Sequence, residues 1–305
     1  MSIDDNFLEA DKVIEQMSNG VQKELLKAYS ESLKSLRSSL SYIYEKYSLD
    51  GSLTYADMTK YNRLVLLEKE IRAELLNLTG KNEKLIKTLS ADVYQEAYFR
   101  AAFAIEVESQ LKLGYGMINT AVIEASIQNP ISGLTLNQRL QKSRDNIILN
   151  IRQQITQGLV LGESYPKMAK RIKATLECDA QKAIRVVKTE SHRVQQEGRL
   201  ASMEHAANKG VKMLKVWDAA LDSAVRKTHA ALDGQKVALD EEFKTNRYSV
   251  KAPGQFGVAS EDINCRCTVR AEIAGYETKV RRSREDGIIA YKDYTSWMAE
   301  KKIDY

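Results

Sequence analysis

The chain is 305 residues long with 43% hydrophobic and 29% charged side chains, which fits one or two folded domains and excludes a disordered polymer. Its net charge of +5 permits contact with DNA or another polyanion without demanding it. No run of about 18 apolar residues occurs, which excludes a membrane-spanning helix and a membrane partner. The acidic start Met1-Ser2-Ile3-Asp4-Asp5 is not a secretory signal, and three cysteines in such a chain point to synthesis in a reducing cytoplasm.

With only 3 prolines, long uninterrupted helices are favoured. Residues 1–128 read as an N-terminal helical region. Val13, Met17, Val21, Leu25, Tyr29, Leu33, Leu36, Leu40, Ile43 and Tyr47 recur at helical spacing. Asp50-Gly51-Ser52 breaks that pattern, and Leu64, Leu67, Ile71, Leu75 and Leu78 resume it. Thr79-Gly80-Lys81-Asn82 predicts a stop, after which another helix runs from about Glu83 to Leu111 and ends at Gly114-Tyr115-Gly116. Asn129-Pro130-Ile131-Ser132-Gly133 is a loop. Thr135 then caps a helix closed by Gly158, Ser164 caps a short one with Pro166 near its start, and Asp179 caps a long one that ends at Lys209-Gly210.

After Gly210 the texture changes. Residues 213–217 alternate like a strand, 222–232 read as a short helix, and 235–239 and 267–273 are strand-like. Between the last two lies an irregular stretch with Pro253-Gly254 and Gly257. The expected fold is therefore mainly α with long N-terminal helices and a small C-terminal α+β module. Its divisions are 1–128, 135–273 and a basic, aromatic tail, 274–305.

From about Thr135 to Ile273 the order of motifs carries a resemblance. Thr189-Glu190-Ser191-His192-Arg193 is followed by Glu197-Gly198-Arg199 and then by Trp217-Asp218, Asp222, Arg226 and His229. Asp233-Gly234-Gln235, Glu242-Phe243, Pro253-Gly254 and finally Asn264-Cys265-Arg266-Cys267 complete the set. In that order they resemble the phage minor head proteins typified by protein F of phage Mu. The resemblance covers less than half of the chain and marks Glu190, Arg193, Trp217, Asp222, Arg226, His229, Gly234, Cys265 and Cys267 as the core of the motif. It implies a virion component made in the host cytoplasm and placed inside the head near the portal. Such a protein acts in head morphogenesis and in DNA packaging and ejection. Its implied partners are the portal protein, a scaffold or major capsid protein, and double-stranded DNA bound without sequence preference. Relatives fuse this module to toxin domains; the stretch after Ile273 is too short for one.

The residues themselves allow several chemistries. Asp222, Arg226 and His229 share one face if 222–232 is helical, so that Asp222 can pair with Arg226. His229, Cys265 and Cys267 offer imidazole and thiolate ligands suited to zinc, with His192 or Glu190 as a fourth. The bland alternative makes the cysteines small buried side chains beside a structural histidine. A bridge between residues two apart is strained and is not expected. An enzymatic alternative, a metal-dependent nuclease or hydrolase centred on His229, Cys265 and Cys267, lacks a phosphate loop, a nucleophile elbow or a carboxylate cluster. Glu190 and Arg193, three apart, either pair at the surface or brace the helix through Arg226 or Asp222. His205 is expected to face solvent. Lys279, Arg281, Arg282 and Arg284, with Lys182, Arg185 and Lys188 on the long helix, are candidate DNA contacts; the alternative is a solvated charged face.

Overall fold

Apolar side chains at every third and fourth position make α1 one unbroken helix, Ile3–Tyr47. The computed structural model describes residues 3–275, 279–283, 286–292 and 296. After α1 come α2 (Tyr55–Thr59), a single 3-10 turn, α3 (Arg63–Ser109), α4 (Thr120–Gln128), α5 (Leu136–Val160) and α6 (Tyr165–Asn208). The chain divides into two compact units. Residues 20–87 and 136–187 form one; residues 1–19, 88–135 and 188–305 form the other.

The first of these is a helical bundle made of α2, α5 and segments of α1, α3 and α6. Leu36, Leu40, Leu67, Ile71, Leu75, Ile151, Ile155 and Ile172 meet in its centre, all 4% exposed or less. Each such side chain contributes roughly 1.5–3 kcal/mol on leaving water. The expected stop at Thr79-Gly80-Lys81-Asn82 is not there, because α3 runs straight through it. A helical glycine costs only about 1 kcal/mol, less than burial of Leu75, Leu78 and Ile86 on the same helix returns. Gly158 likewise lies inside α5 rather than closing it, and the Met168 side chain fills the space its Cβ would need. Nor does Asp179 cap a helix. It sits within α6, where its carboxylate accepts the Tyr29 hydroxyl proton at 2.6 Å instead of capping backbone. The two helices expected around it are one.

In the other unit, Met213–Asp218 forms β1, which lies between β2 (Lys236–Val237) and β5 (Thr268–Ile273) in an antiparallel sheet. All six residues of β1 pair with β5, from Met213 with Ile273 to Asp218 with Thr268. Two hairpins accompany this sheet: β3 (Phe243–Lys244) with β4 (Ser249–Val250), and β6 (Val280–Ser283) with β7 (Gly287–Ala290). The helix expected over 222–232 shrinks to α7 (Lys227–Ala230), and Ala259–Asp262 forms α8. α6 is fixed to β5 by polar side chains. Gln196 accepts from Val269 N at 2.9 Å, and the buried Arg199 donates to Val269 O at 3.0 Å. Gly198 faces the backbone of Tyr94 on α3; a Cβ there would come within 2.4 Å of the Tyr94 carbonyl oxygen. Phe7, Ile105, Met203 and Ile273 close a second apolar cluster in this unit.

Candidate functional site

The site is assembled from short pieces that the sheet holds in place. β1 delivers Trp217 and Asp218. Gly234, at φ 74, turns the chain back so that its N–H donates to Trp217 O at 2.9 Å, while Trp217 N donates to Gln235 O at 3.1 Å. The Asp233 carboxylate accepts from Ala219 N at 2.7 Å. α7 presents His229 inward, and the turn before β5 brings Cys265 and Cys267 to it. That turn is held by Cys265 N donating to Asp262 O and by the Asp262 carboxylate accepting from Phe256 N and Val258 N at 2.8 and 3.1 Å.

His229 Nδ1 lies 3.6 Å from Cys265 Sγ and 3.4 Å from Cys267 Sγ. Its Nε2 lies 3.2 Å from Glu261 Oε2, within ion-pair range though out of line for a hydrogen bond. Phe256 stacks on the imidazole at 5.0 Å between centroids, and the Trp217 ring meets it edge-on at 5.8 Å. His229 and Cys267 are each 1% exposed and Cys265 is 5% exposed. Burial and the adjacent Cys267 sulfur hold the Cys265 thiol well above the ordinary thiol range. Burial pushes Cys267 up as well, but hydrogen bonds from Cys265 and His229 and the charge on His229 outweigh it and bring Cys267 down to about 5. His192 is held neutral, its pKa lowered to about 3 by burial and by Arg199, His229 and Arg266; its Nε2 is enclosed without a hydrogen-bond partner.

Of the expected ligands, the structure brings together His229, Cys265 and Cys267, whose donor atoms lie within 4.8 Å of one another. Among the described residues neither His192 nor Glu190 joins them. Cys267, His229 and Glu261 also stand in the order of a thiol relay, yet Cys267 and His229 present almost no surface to a substrate.

The motif's charged residues are placed differently from expectation. Asp222 does not pair with Arg226, since neither lies inside a helix. Asp222 takes Arg266 Nη2 at 2.8 Å, and Arg226 donates to Ile263 O at 2.6 Å, so both secure the cysteine turn from outside. Glu190 and Arg193 form a buried pair at 3.0 Å, and Arg193 braces α4 by donating to Ile127 O rather than reaching Arg226 or Asp222. His205 is half-buried rather than solvent-facing, with Nε2 3.0 Å from Leu113 O and its ring against Tyr115.

The basic stretch after Ile273 is only partly surface. Arg281 is 4% exposed; it donates to both Asp233 carboxylate oxygens at 3.0 and 3.2 Å and to Ala219 O at 2.7 Å. Arg282 is exposed and pairs with Glu15, and Lys279 is exposed with its backbone N–H on the Asp4 carboxylate. Arg284 lies outside the described residues. Arg281, Arg199, Asp262 and Glu261 were missed by sequence reasoning as parts of the site's support. The place of Arg199 in the motif order, as Glu197-Gly198-Arg199, was the available signal for one of them. By contrast, Lys167, Lys170 and Lys182 line an open groove of about 650 Å³ in the helical bundle.

Comparison with known proteins follows the same residues. A family model described as phage Mu protein F like protein matches residues 149–270, a span that contains the whole His229 cluster. The minor head protein GP7 of Bacillus phage SPP1 is 38% identical over 97% of this chain and 98% of its own length. The chain belongs to the phage minor head protein family. A second relative of this minor head protein, named NAD(+)–arginine ADP-ribosyltransferase EFV, from Enterococcus faecalis, is 33% identical over 91% of the chain, which spans only 57% of that protein. An uncharacterized protein of Haemophilus influenzae is 24% identical over 68% of the chain and 45% of its own length. No solved structure matches. No helix among the described residues of this minor head protein is long and apolar enough to cross a membrane.

Proposed function

We propose that this minor head protein is an internal component of the phage head, held near the portal, that acts in head morphogenesis and in DNA packaging and ejection by binding. The observation that carries this reading is the likeness to a protein named as a minor head protein over nearly the full length of both chains. Exposed apolar side chains on the long helices, Leu26 on α1 and Leu66 and Leu76 on α3, suit docking on a portal protein. Exposed Lys167 and Lys170, and exposed Lys182 and Arg185, each pair three residues apart on α6, suit non-specific contact with DNA phosphates. These cations support DNA contact better than Arg281, which is already engaged inside its unit. The enclosed thiols and imidazole favour binding over the hydrolase or nuclease alternative.

Co-sedimentation with procapsids tests the partner. The full chain should pellet with portal-containing procapsids and stay in the supernatant with portal-less ones. Equal retention on both would move the partner to the scaffold or major capsid protein, and retention on neither would end the reading. Retardation of double-stranded DNA should weaken steeply with salt and in the double variant Lys182→Glu, Arg185→Glu; unchanged retardation would remove Lys182 and Arg185 as DNA contacts.

A further inference from the structure

We propose that His229, Cys265 and Cys267 bind one zinc ion. Zinc takes nitrogen at about 2.0–2.1 Å and sulfur at about 2.3 Å in a tetrahedron, which sets the nitrogen-to-sulfur edge at about 3.6 Å. The two edges here are 3.6 and 3.4 Å. Hydrogen bonding accounts for less of the arrangement. An imidazole nitrogen carries either one lone pair or one N–H, so Nδ1 cannot satisfy two sulfurs at once. An ion on the shared side of the three atoms engages all of them.

The surroundings fit the same occupant. A ligating imidazole usually presents its other nitrogen to a carboxylate, which fixes the ring. Here Glu261 stands beside Nε2 at 3.2 Å, within ion-pair range, and is itself held by the Thr228 hydroxyl at 2.8 Å. The backbone bonds to the Asp262 carboxylate, together with Arg226 on Ile263 O, set the cysteine turn without help from the sulfurs. The ligands are thus pre-positioned, and the ion adds a cross-link between α7 and the turn before β5. Among the described residues no fourth His, Cys, Asp or Glu completes the group, which leaves one tetrahedral position to another ligand. Any thiol that is protonated beforehand gives its proton to solvent on binding.

The test uses the full chain purified without chelator. Elemental analysis should find one zinc per chain, and cobalt substitution should give sulfur-to-cobalt charge-transfer absorption with the intense visible bands of a tetrahedral ion. Cys265→Ser and Cys267→Ser should each lose that absorption, while Cys178→Ser, at an exposed position on α6, should keep it. Because a ligand variant can simply fail to fold, the folded wild-type chain decides. Absence of zinc together with absence of a sulfur-to-cobalt band overturns the proposal. So does copper in place of zinc, or alkylation of the two buried thiols at a rate that removal of the metal leaves unchanged. None of these readouts depends on portal or DNA binding.

Discussion

The two units of this minor head protein are held together by different physics. The helical bundle of residues 20–87 and 136–187 relies on apolar stripes, with Leu36, Leu40, Leu75, Ile151 and Ile172 in its centre. Its main buried polar contact is the Tyr29 hydroxyl on Asp179. The unit containing the sheet has a small apolar core around Trp217, Phe243 and Val269, and it buries charged pairs: Glu190 with Arg193, Asp218 with Arg270, and Asp233 with Arg281. A stripe spreads its stabilisation over many side chains. A buried pair concentrates it, because removing one partner leaves the other charged and unsolvated.

That contrast predicts a ranking. Arg281→Ala removes the positive charge that faces the buried Asp233 carboxylate and should destabilise the sheet unit by about 3–5 kcal/mol, read as loss of the Trp217 fluorescence transition at lower denaturant. A loss below about 1 kcal/mol would show that the pair is solvated and sink the contrast. Leu75→Ala, in the fully buried centre of the bundle, should cost about 3 kcal/mol of helical stability followed by far-ultraviolet circular dichroism. If it cost less than an exposed substitution such as Leu66→Ala, the stripe would not be the bundle's core.

The smallest effect concerns the bundle's one buried carboxylate. Burial raises the Asp179 pKa, against the lowering influence of the Tyr29 hydrogen bond and of Lys182. A carboxyl whose pKa is higher in the folded state binds more protons folded than unfolded, so its contribution to stability grows as pH falls towards the folded pKa and is lost above it. Asp179→Asn keeps an acceptor for Tyr29 and removes the charge. It should slightly stabilise the bundle at pH 7, and the gain should shrink as the pH is lowered towards 4. A gain that instead grows with acidity would reverse the sign and show that the carboxylate is favourably solvated.

Much of the bundle was legible because a helix writes its buried face at a fixed period. Tyr29, Leu36, Leu40 and Ile43 mark one stripe, and Leu64, Leu67, Ile71, Leu75 and Leu78 another. Local punctuation was weaker evidence than the stripe. Gly80, Gly158 and Asp179 each look like an end, yet packing on both sides carries the helix past them. In the sheet unit, β1 was legible from alternation and β2 and β5 from their strand-forming residues, whereas β3, β4, β6, β7 and the shortening of α7 were not.

By itself the sequence determined the helical class, the ordered motif from Glu190 to Cys267 and the identity of the three clustered donors, because period and residue chemistry are local properties of a chain. The tertiary structure decided the rest. It placed both sulfurs on one imidazole nitrogen, set Glu261 behind the ring, gave Asp222 to Arg266, and turned Arg281 from a candidate DNA contact into the buried partner of Asp233. Those choices depend on which distant segments meet, Asp233 and Arg281 being 48 residues apart, and a sequence does not state how a charge will be paired until the chain has closed around it.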